Sequence, residues 1–137
     1  MQTYSPVRSN DSNDFQAVCR PESNSDSISA TATAVLFANG IGAQVARKVD
    51  WIHLPVPYDR GDDAYFAPLA DLRLQPGTRL YLGLIHLRLG AAGTRKLIET
   101  AARHRVDFGI ATECGFGRRD PATIPELLKL HAALADG

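Results

Sequence analysis

The sequence has few cysteines, no excess of charge of either sign and no long apolar run. Cys19 and Cys114 are the only cysteines in 137 residues, too few for the disulfide framework of a small secreted domain. Fifteen basic and fifteen acidic residues cancel, which argues against a broad surface for nucleic acid or anionic membranes. No apolar run reaches the roughly 18–20 residues that span a bilayer, and no secretory signal pattern opens the chain. We therefore expect a cytoplasmic protein with reduced thiols.

The length is that of one ordinary domain. It is too short for a complete eight-fold β/α barrel, which needs about 250 residues. Residues 1–27 are rich in Ser, Asn and Asp, so this segment is predicted to be a disordered tail, with a docking or phosphorylation tail as the alternative. Residues 28–137 hold the apolar runs and are predicted to form the folded domain.

Three short apolar runs are predicted to be strands: Asp50–Val56, Arg79–Leu87 and Val106–Thr112. Each run is nearly continuous rather than alternating, which is typical of parallel strands that are buried on both faces.

Helical patterns alternate with these strands. They predict a first helix from a Ser27 or Ser29 cap to about Arg47, a short helix over Ala64–Leu72, a third over Ala91–Arg105 and a last one after Asp120-Pro121. In the first helix, Val35, Leu36, Asn39 and Ile41–Val45 are compatible with one buried stripe. The alternation predicts an α/β fold with about three parallel strands and covering helices. Such a sheet has two open edges, so we expect dimerisation or a partner chain that completes it.

Polar groups follow each predicted strand, where parallel α/β folds bind ligands. His53 and His86 lie late in the first two strands, and Glu113 and Cys114 follow the third. These four side chains are a candidate zinc set or a candidate proton-transfer set. Each histidine is alternatively a residue at the edge of the core, hydrogen-bonded to the backbone. Cys114 is alternatively an activated nucleophile or a buried small hydrophobic residue.

A second candidate site would bind an anion. Arg118 and Arg119 follow a glycine-flanked turn just before a helix, and arginine pairs with phosphate or carboxylate. Tyr58, in the loop after the first strand, completes the predicted substrate-binding set; the alternative is a solvated loop. Three aspartates in the loop after the first strand are read as a solvated acidic loop rather than a Mg²⁺ site, and two histidines on helices are read as surface residues. These are Asp59, Asp62, Asp63, His104 and His131.

The region from Trp51 to Leu134 resembles the C-terminal end of the cobalamin-independent methionine synthase superfamily, most closely its shorter single-barrel relatives. The motifs that carry the resemblance are Asp50–Pro57, Asp62–Leu69, Tyr81–His86, Gly93-Thr94-Arg95 and Ala111–Arg119, closed by the helix Thr123–Leu134. The resemblance implies a partial TIM barrel whose three strands would be the sixth, seventh and eighth.

In that family, a methyl group passes from a folate to a zinc-bound thiolate. Cys114 matches the last zinc-ligating cysteine of the family, with Glu113 in place of an aspartate. The other three ligands come from earlier strands, which this chain does not contain. The resemblance thus implies a truncated or split methyltransferase-family barrel that is inactive alone and needs a second chain to complete a site for zinc and a small-molecule substrate. His53 and His86 do not align with zinc ligands of the family; with Glu113 they are catalytic candidates because they would line the mouth of the pocket. The alternative is a non-catalytic binding or interaction module that keeps the fold fragment without the chemistry.

Overall fold

A computed structural model describes residues 29–135 of the chain. The segment 1–27, predicted to be disordered, lies outside the described residues. Four α-helices and three β-strands alternate along the chain, joined by short 3-10 turns. Their bounds are α1 Ala30–Gln44, β1 Trp51–Pro55, α2 Asp63–Phe66, β2 Arg79–Ile85, α3 Gly90–His104, β3 Gly109–Thr112 and α4 Ile124–Ala135.

The three strands form one parallel sheet in the order β1-β2-β3, which confirms the predicted α/β architecture with a parallel sheet. His53 of β1 lies beside Tyr81 of β2, and Tyr81 lies beside Gly109 of β3. Because the strands run in parallel, their carboxyl ends meet at one edge of the sheet. The ends of all three strands therefore approach one another.

One face of the sheet forms the main core. Ile52 and Leu54 of β1 and the alternate leucines of β2 pack there against α1, the segment 65–72 and α3. The fully enclosed side chains include Phe66, Leu69, Leu82, Leu84 and Ala101. The opposite face carries Trp51, His53 and Tyr81, which do not join this core.

The expectation that all three strands are buried on both faces holds only for β2. Only Leu54 of β1 is fully buried, and every residue of β3 is half-buried. β2 is shielded because it lies between the other two strands. β1 and β3 are each open along one side within residues 29–135, which the local sequence does not reveal.

The first helix differs from its prediction in extent and orientation. It ends at Gln44 rather than near Arg47, and the side chain of the N-cap Ser29 makes no capping hydrogen bond. Its buried residues are Thr31, Val35 and Ala38. Leu36 and Ile41, both predicted to be buried, are exposed. The helix has no charged residue, and its polar residues, Thr31, Thr33, Asn39 and Gln44, are spread around it, so periodicity alone could not indicate which face packs on the domain.

The last strand, β3, starts later than predicted and pairs irregularly with β2. β3 begins at Gly109 rather than at the predicted Val106, which is exposed. The pairing between β2 and β3 shifts between Leu82 and Ile85, and Ile85 packs against Leu127 of α4 in a second small core. Asp120 accepts a hydrogen bond from the Ala122 amide at 2.9 Å, as expected for the cap before the last helix. None of the described helices is long and apolar enough to cross a membrane.

Candidate functional site

His86 connects the ends of all three strands. Its Nε2 lies 2.8 Å from the carbonyl oxygen of Val56, directly after β1. Its Nδ1 lies 3.1 Å from Oε2 of Glu113, directly after β3. The amide of Glu113 also donates to the carbonyl oxygen of Ile85 at 3.3 Å. His86 is 3% exposed, so it is a buried cross-link at the carboxyl edge of the sheet.

The surroundings of His86 favour its neutral form. Burial is the largest cause that lowers its pKa, and the positive charge of Arg119 adds to it. The carbonyls of Val56 and Gly83 offset part of this lowering. The Nε2 atom carries the proton that it donates to Val56. In the neutral ring, Nδ1 is then an acceptor, and so is an ionised Glu113 oxygen. These two atoms therefore form a hydrogen bond only when a further proton is bound to one of them.

Glu113 is held from its other side by Arg119, whose Nη2 forms an ion pair with Oε1. Both carboxylate oxygens thus have partners, one on an arginine and one on an imidazole. A continuous chain of polar contacts therefore crosses the strand ends, in the order Val56, His86, Glu113 and Arg119. Arg119, predicted to bind an anionic substrate, is engaged by the protein's own carboxylate.

His53 forms a separate group with Cys114. The imidazole lies above Gly83 of the neighbouring strand, because a Cβ at position 83 would lie 2.9 Å from Nε2 of His53. From there, Nδ1 of His53 lies 4.0 Å from Sγ of Cys114, beyond β3. The ring therefore spans β2, and a side chain at position 83 would obstruct it.

The Nε2 atom of His53 is buried and has no hydrogen-bond partner of good geometry. Burial lowers the pKa of His53, and the nearby carbonyl of Thr112 opposes part of that effect. The imidazole is therefore neutral at pH 7, which is the form that ligates a metal or accepts a proton from a thiol. A neutral imidazole beside a thiol can act on that thiol as a base.

Cys114 is exposed, which is inconsistent with its reading as a buried small hydrophobic residue. It precedes Gly115, whose φ of 100° is a left-handed conformation that favours glycine. Arg118 folds back over this turn, because a Cβ on Gly115 would lie 3.1 Å from Nη2 of Arg118. The turn thus presents the thiol to solvent beside an arginine side chain.

Tyr58, in the loop after β1, packs beside His86. Its ring stands edge-on to His86 with 6.4 Å between centroids, and the guanidinium of Arg88 lies 4.6 Å from the Tyr58 centroid. An open groove of about 410 Å³ lies beside it, lined in part by Lys96 and Leu97 of α3. Neither His53 nor Cys114 lines this groove.

The acidic loop after β1 has structural partners. Asp62 accepts a hydrogen bond from the Tyr65 amide at 2.9 Å and so caps α2. Asp63 pairs with Arg103 and His104 of α3 at 2.9 and 2.8 Å. These hydrogen bonds lower the pKa of Asp63 to about 2. His104 and His131 are half-buried rather than fully exposed.

The structure thus divides the predicted site residues into two groups. His86, Glu113 and Arg119 form one hydrogen-bonded network, while His53 and Cys114 form a second pair. Sequence reasoning missed Gly83 and Arg88, which position His53 and Tyr58. A glycine inside an otherwise apolar strand was the signal for Gly83, since such a glycine often marks a close approach.

His53 and Cys114 are residue types that can ligate zinc, so their separation can be compared with that of two zinc ligands. Zn–S and Zn–N bonds of about 2.3 and 2.0 Å in tetrahedral geometry place sulfur and nitrogen about 3.5 Å apart. The 4.0 Å between Sγ of Cys114 and Nδ1 of His53 is about 0.5 Å longer than that separation. No cluster of three or more His, Cys, Asp or Glu side chains suited to a metal occurs in residues 29–135. These residues therefore supply two donors, and a tetrahedral site needs two more.

Comparisons with known proteins identify no relative of this chain: no family model, no curated protein and no solved structure matches it.

Proposed function

We propose that this chain is the C-terminal part of a methionine synthase-like β/α barrel whose active site is completed by another chain. Three observations support the proposal: the parallel order of β1, β2 and β3, the open outer edges of β1 and β3 within residues 29–135, and the exposed thiol that follows the last strand. The motif resemblance between Trp51 and Leu134 is the reason for proposing this family.

The pairing of His53 with Cys114 carries the chemical part of the proposal. The imidazole is held over a glycine, 4.0 Å from an exposed thiol, and its buried Nε2 atom has no hydrogen-bond partner of good geometry. Orphaned buried polar atoms cost free energy and are retained mainly where they serve a function. The pair is suited to hold a metal or to accept the thiol proton.

The predicted residues at the strand ends have distinct roles in this proposal. The methyl group would pass to a substrate thiol and not to the protein. His53 is the neighbouring donor or base of Cys114, whose sulfur is the zinc ligand. Zinc, when bound, would hold the sulfur as a thiolate at neutral pH. His86 and Glu113 hold the strand ends in register and so position the loop that carries Cys114. Arg118, which lies over the turn that follows Cys114, would bind the anionic group of a small-molecule substrate.

A second candidate is a non-catalytic binding or interaction module. It is favoured by the network of His86, Glu113 and Arg119, in which the polar groups are used by one another. Such a network stabilises the carboxyl edge without any reaction. In this alternative, Cys114 and His53 remain as a pair that does not bind metal.

The deciding experiment measures bound zinc and thiol alkylation in three forms of the full chain. These are the natural sequence, Cys114→Ser and the matched control Cys19→Ser. The proposal predicts zinc binding, together with a partner chain, in the natural sequence and in Cys19→Ser but not in Cys114→Ser. Zinc in none of them at any partner ratio overturns the metal site. Stability and partner binding that are identical in Cys114→Ser and the natural chain favour the interaction module.

A further inference from the structure

Two adjacent arginines follow Cys114, and they make different contacts. Arg118 is exposed and lies over the turn at Gly115. The side chain of Arg119 is 22% exposed, and its Nη2 atom forms an ion pair with Oε1 of Glu113. This ion pair joins the first and last residues of the segment 113–119, which carries the Cys114 thiol. The two arginines therefore differ in what they hold, although they are neighbours in sequence.

The segment 113–119 is a short loop that is closed at its base. At its start, the amide of Glu113 donates to the carbonyl oxygen of Ile85 at 3.3 Å. Inside the loop, two backbone hydrogen bonds of 2.9 and 3.3 Å form the 3-10 turn that begins at Phe116. These hydrogen bonds shape the turn, but they do not join its two ends. The ion pair between Glu113 and Arg119 joins them.

The position of Glu113 determines where the next residue places its thiol. Oε2 of Glu113 lies 3.1 Å from Nδ1 of the buried His86, so both carboxylate oxygens are held. Successive side chains along a strand and its direct continuation point to opposite sides. Cys114 is the next residue, and its Sγ lies 4.0 Å from Nδ1 of His53. Holding the carboxylate therefore also holds the direction of the thiol.

Arg119 is the stronger of the two partners of Glu113. The Glu113 side chain is 34% exposed, so water competes for its oxygens. A neutral His86 ring that donates from Nε2 to Val56 presents only an acceptor at Nδ1, which does not hold an ionised carboxylate. A hydrogen bond between two charged groups is about twice as strong as one between neutral groups. The contact that keeps Glu113 in place is therefore the one to Arg119.

We propose that Arg119 is a positioning residue: its ion pair with Glu113 closes the loop 113–119 and so holds the Cys114 thiol beside His53. Arg118 remains available for an anion. The proposal rests on the proposed function for the role of the His53 and Cys114 pair, and it adds the contact that holds this pair together. It also separates Arg119 from Arg118, with which the sequence pattern had grouped it as a substrate-binding residue.

The test is the rate at which iodoacetamide alkylates Cys114 in the full chain. Every variant carries Cys19→Ser, so that one thiol reacts, and a chelator excludes metal. In this parent chain, His53→Ala should slow alkylation about tenfold, as expected for the loss of a base beside the thiol. In Arg119→Gln, adding His53→Ala should slow alkylation less than about twofold, because the loop no longer holds the thiol beside the imidazole. Arg119→Lys keeps the charge and should restore most of the tenfold effect.

Arg118→Gln is the matched control, because it removes the neighbouring arginine from the same turn. It should change the alkylation rate itself, since a positive charge beside the thiol is lost, but it should keep the tenfold effect of His53→Ala. Circular dichroism and a urea melt establish that each variant is folded. Glu113→Gln, which weakens the same ion pair, replaces Arg119→Gln if that variant is unfolded.

The outcomes separate this proposal from the proposed function. An effect of His53→Ala that is as large in Arg119→Gln as in the parent chain overturns the positioning role, as does an equal loss in Arg118→Gln and Arg119→Gln. No effect of His53→Ala in the parent chain overturns both the positioning role and the pair of His53 and Cys114. The expected alkylation rates in a chain that binds no zinc at any partner ratio refute the zinc site alone and support the role of Arg119.

Discussion

Replacing Gly83 by alanine tests whether this glycine exists to let His53 lie across the sheet. An added Cβ would lie 2.9 Å from Nε2 of His53, 3.3 Å from the Thr112 carbonyl oxygen and 3.4 Å from Cα of Pro55. The last two are backbone atoms in or next to the sheet and move little, so the imidazole must yield. Inserting a methyl group into a packed site typically costs about 1–3 kcal/mol.

A double-mutant cycle separates the two contributions. We expect Gly83→Ala to lower the free energy of unfolding by about 2 kcal/mol, and by only about 1 kcal/mol in a chain that also carries His53→Ala. The coupling of about 1 kcal/mol is the cost of displacing the ring. Urea unfolding of the natural chain, both single variants and the double variant measures it. Gly117→Ala is the matched control, since a Cβ there meets no atom within 4 Å.

The same variants report on the thiol. With the ring displaced, Gly83→Ala should alter the alkylation rate of Cys114 in the direction that His53→Ala alters it, while Gly117→Ala should not. The reasoning is refuted if Gly83→Ala costs the same free energy in both backgrounds, because the ring would then not be what the methyl group displaces.

Three further predictions concern stability. Gly109→Ala should cost about 1–3 kcal/mol, because its Cβ would lie 2.6 Å from the Tyr81 ring; an unchanged urea midpoint would contradict this contact. Burial lowers the pKa values of His53 and His86 below 6.5, so the unfolded chain binds protons more readily. The free energy of unfolding should therefore keep its full value above pH 6.5 and decrease as the pH falls below 6.5. The decrease should be smaller in His86→Gln. Urea melts that show no decrease from pH 7 to pH 5 would disprove the prediction. Asp63 has its pKa lowered to about 2, so its contribution should be lost as the pH falls from about 4 to about 2, and acid titration of Asp63→Asn should lack that step.

Local pattern was sufficient to predict the elements of this fold. Continuous apolar runs predicted three strands, and the alternation of strands with helical stripes predicted a parallel sheet, because only βαβ connections join parallel neighbours. Asp120 followed by Pro121 predicted the cap correctly, since a cap depends only on adjacent residues, but the capped turn is a 3-10 turn over Pro121–Thr123 and α4 begins after it at Ile124. The strand ends were likewise predicted to collect His86 and Glu113.

Local pattern could not predict which faces are covered. β1 and β3 read as fully buried but are half-buried, because burial depends on neighbours that are distant in sequence. α1 has no charged residue and no single polar stripe, so the spacing of its apolar residues could not distinguish the side that carries Val35 from the side that carries Leu36.

The sequence by itself determined the elements, their order and the polar residues at the strand ends. Only the tertiary structure decided how those polar residues divide into two groups. Strand register and the absence of a side chain at Gly83 bring His53 to Cys114 across an intervening strand. The carbonyl of Val56 and the side chain of Arg119 commit His86 and Glu113 to a separate network. The reason is physical: composition and spacing act along the chain, whereas hydrogen bonding and steric exclusion act between segments that meet only in the folded protein.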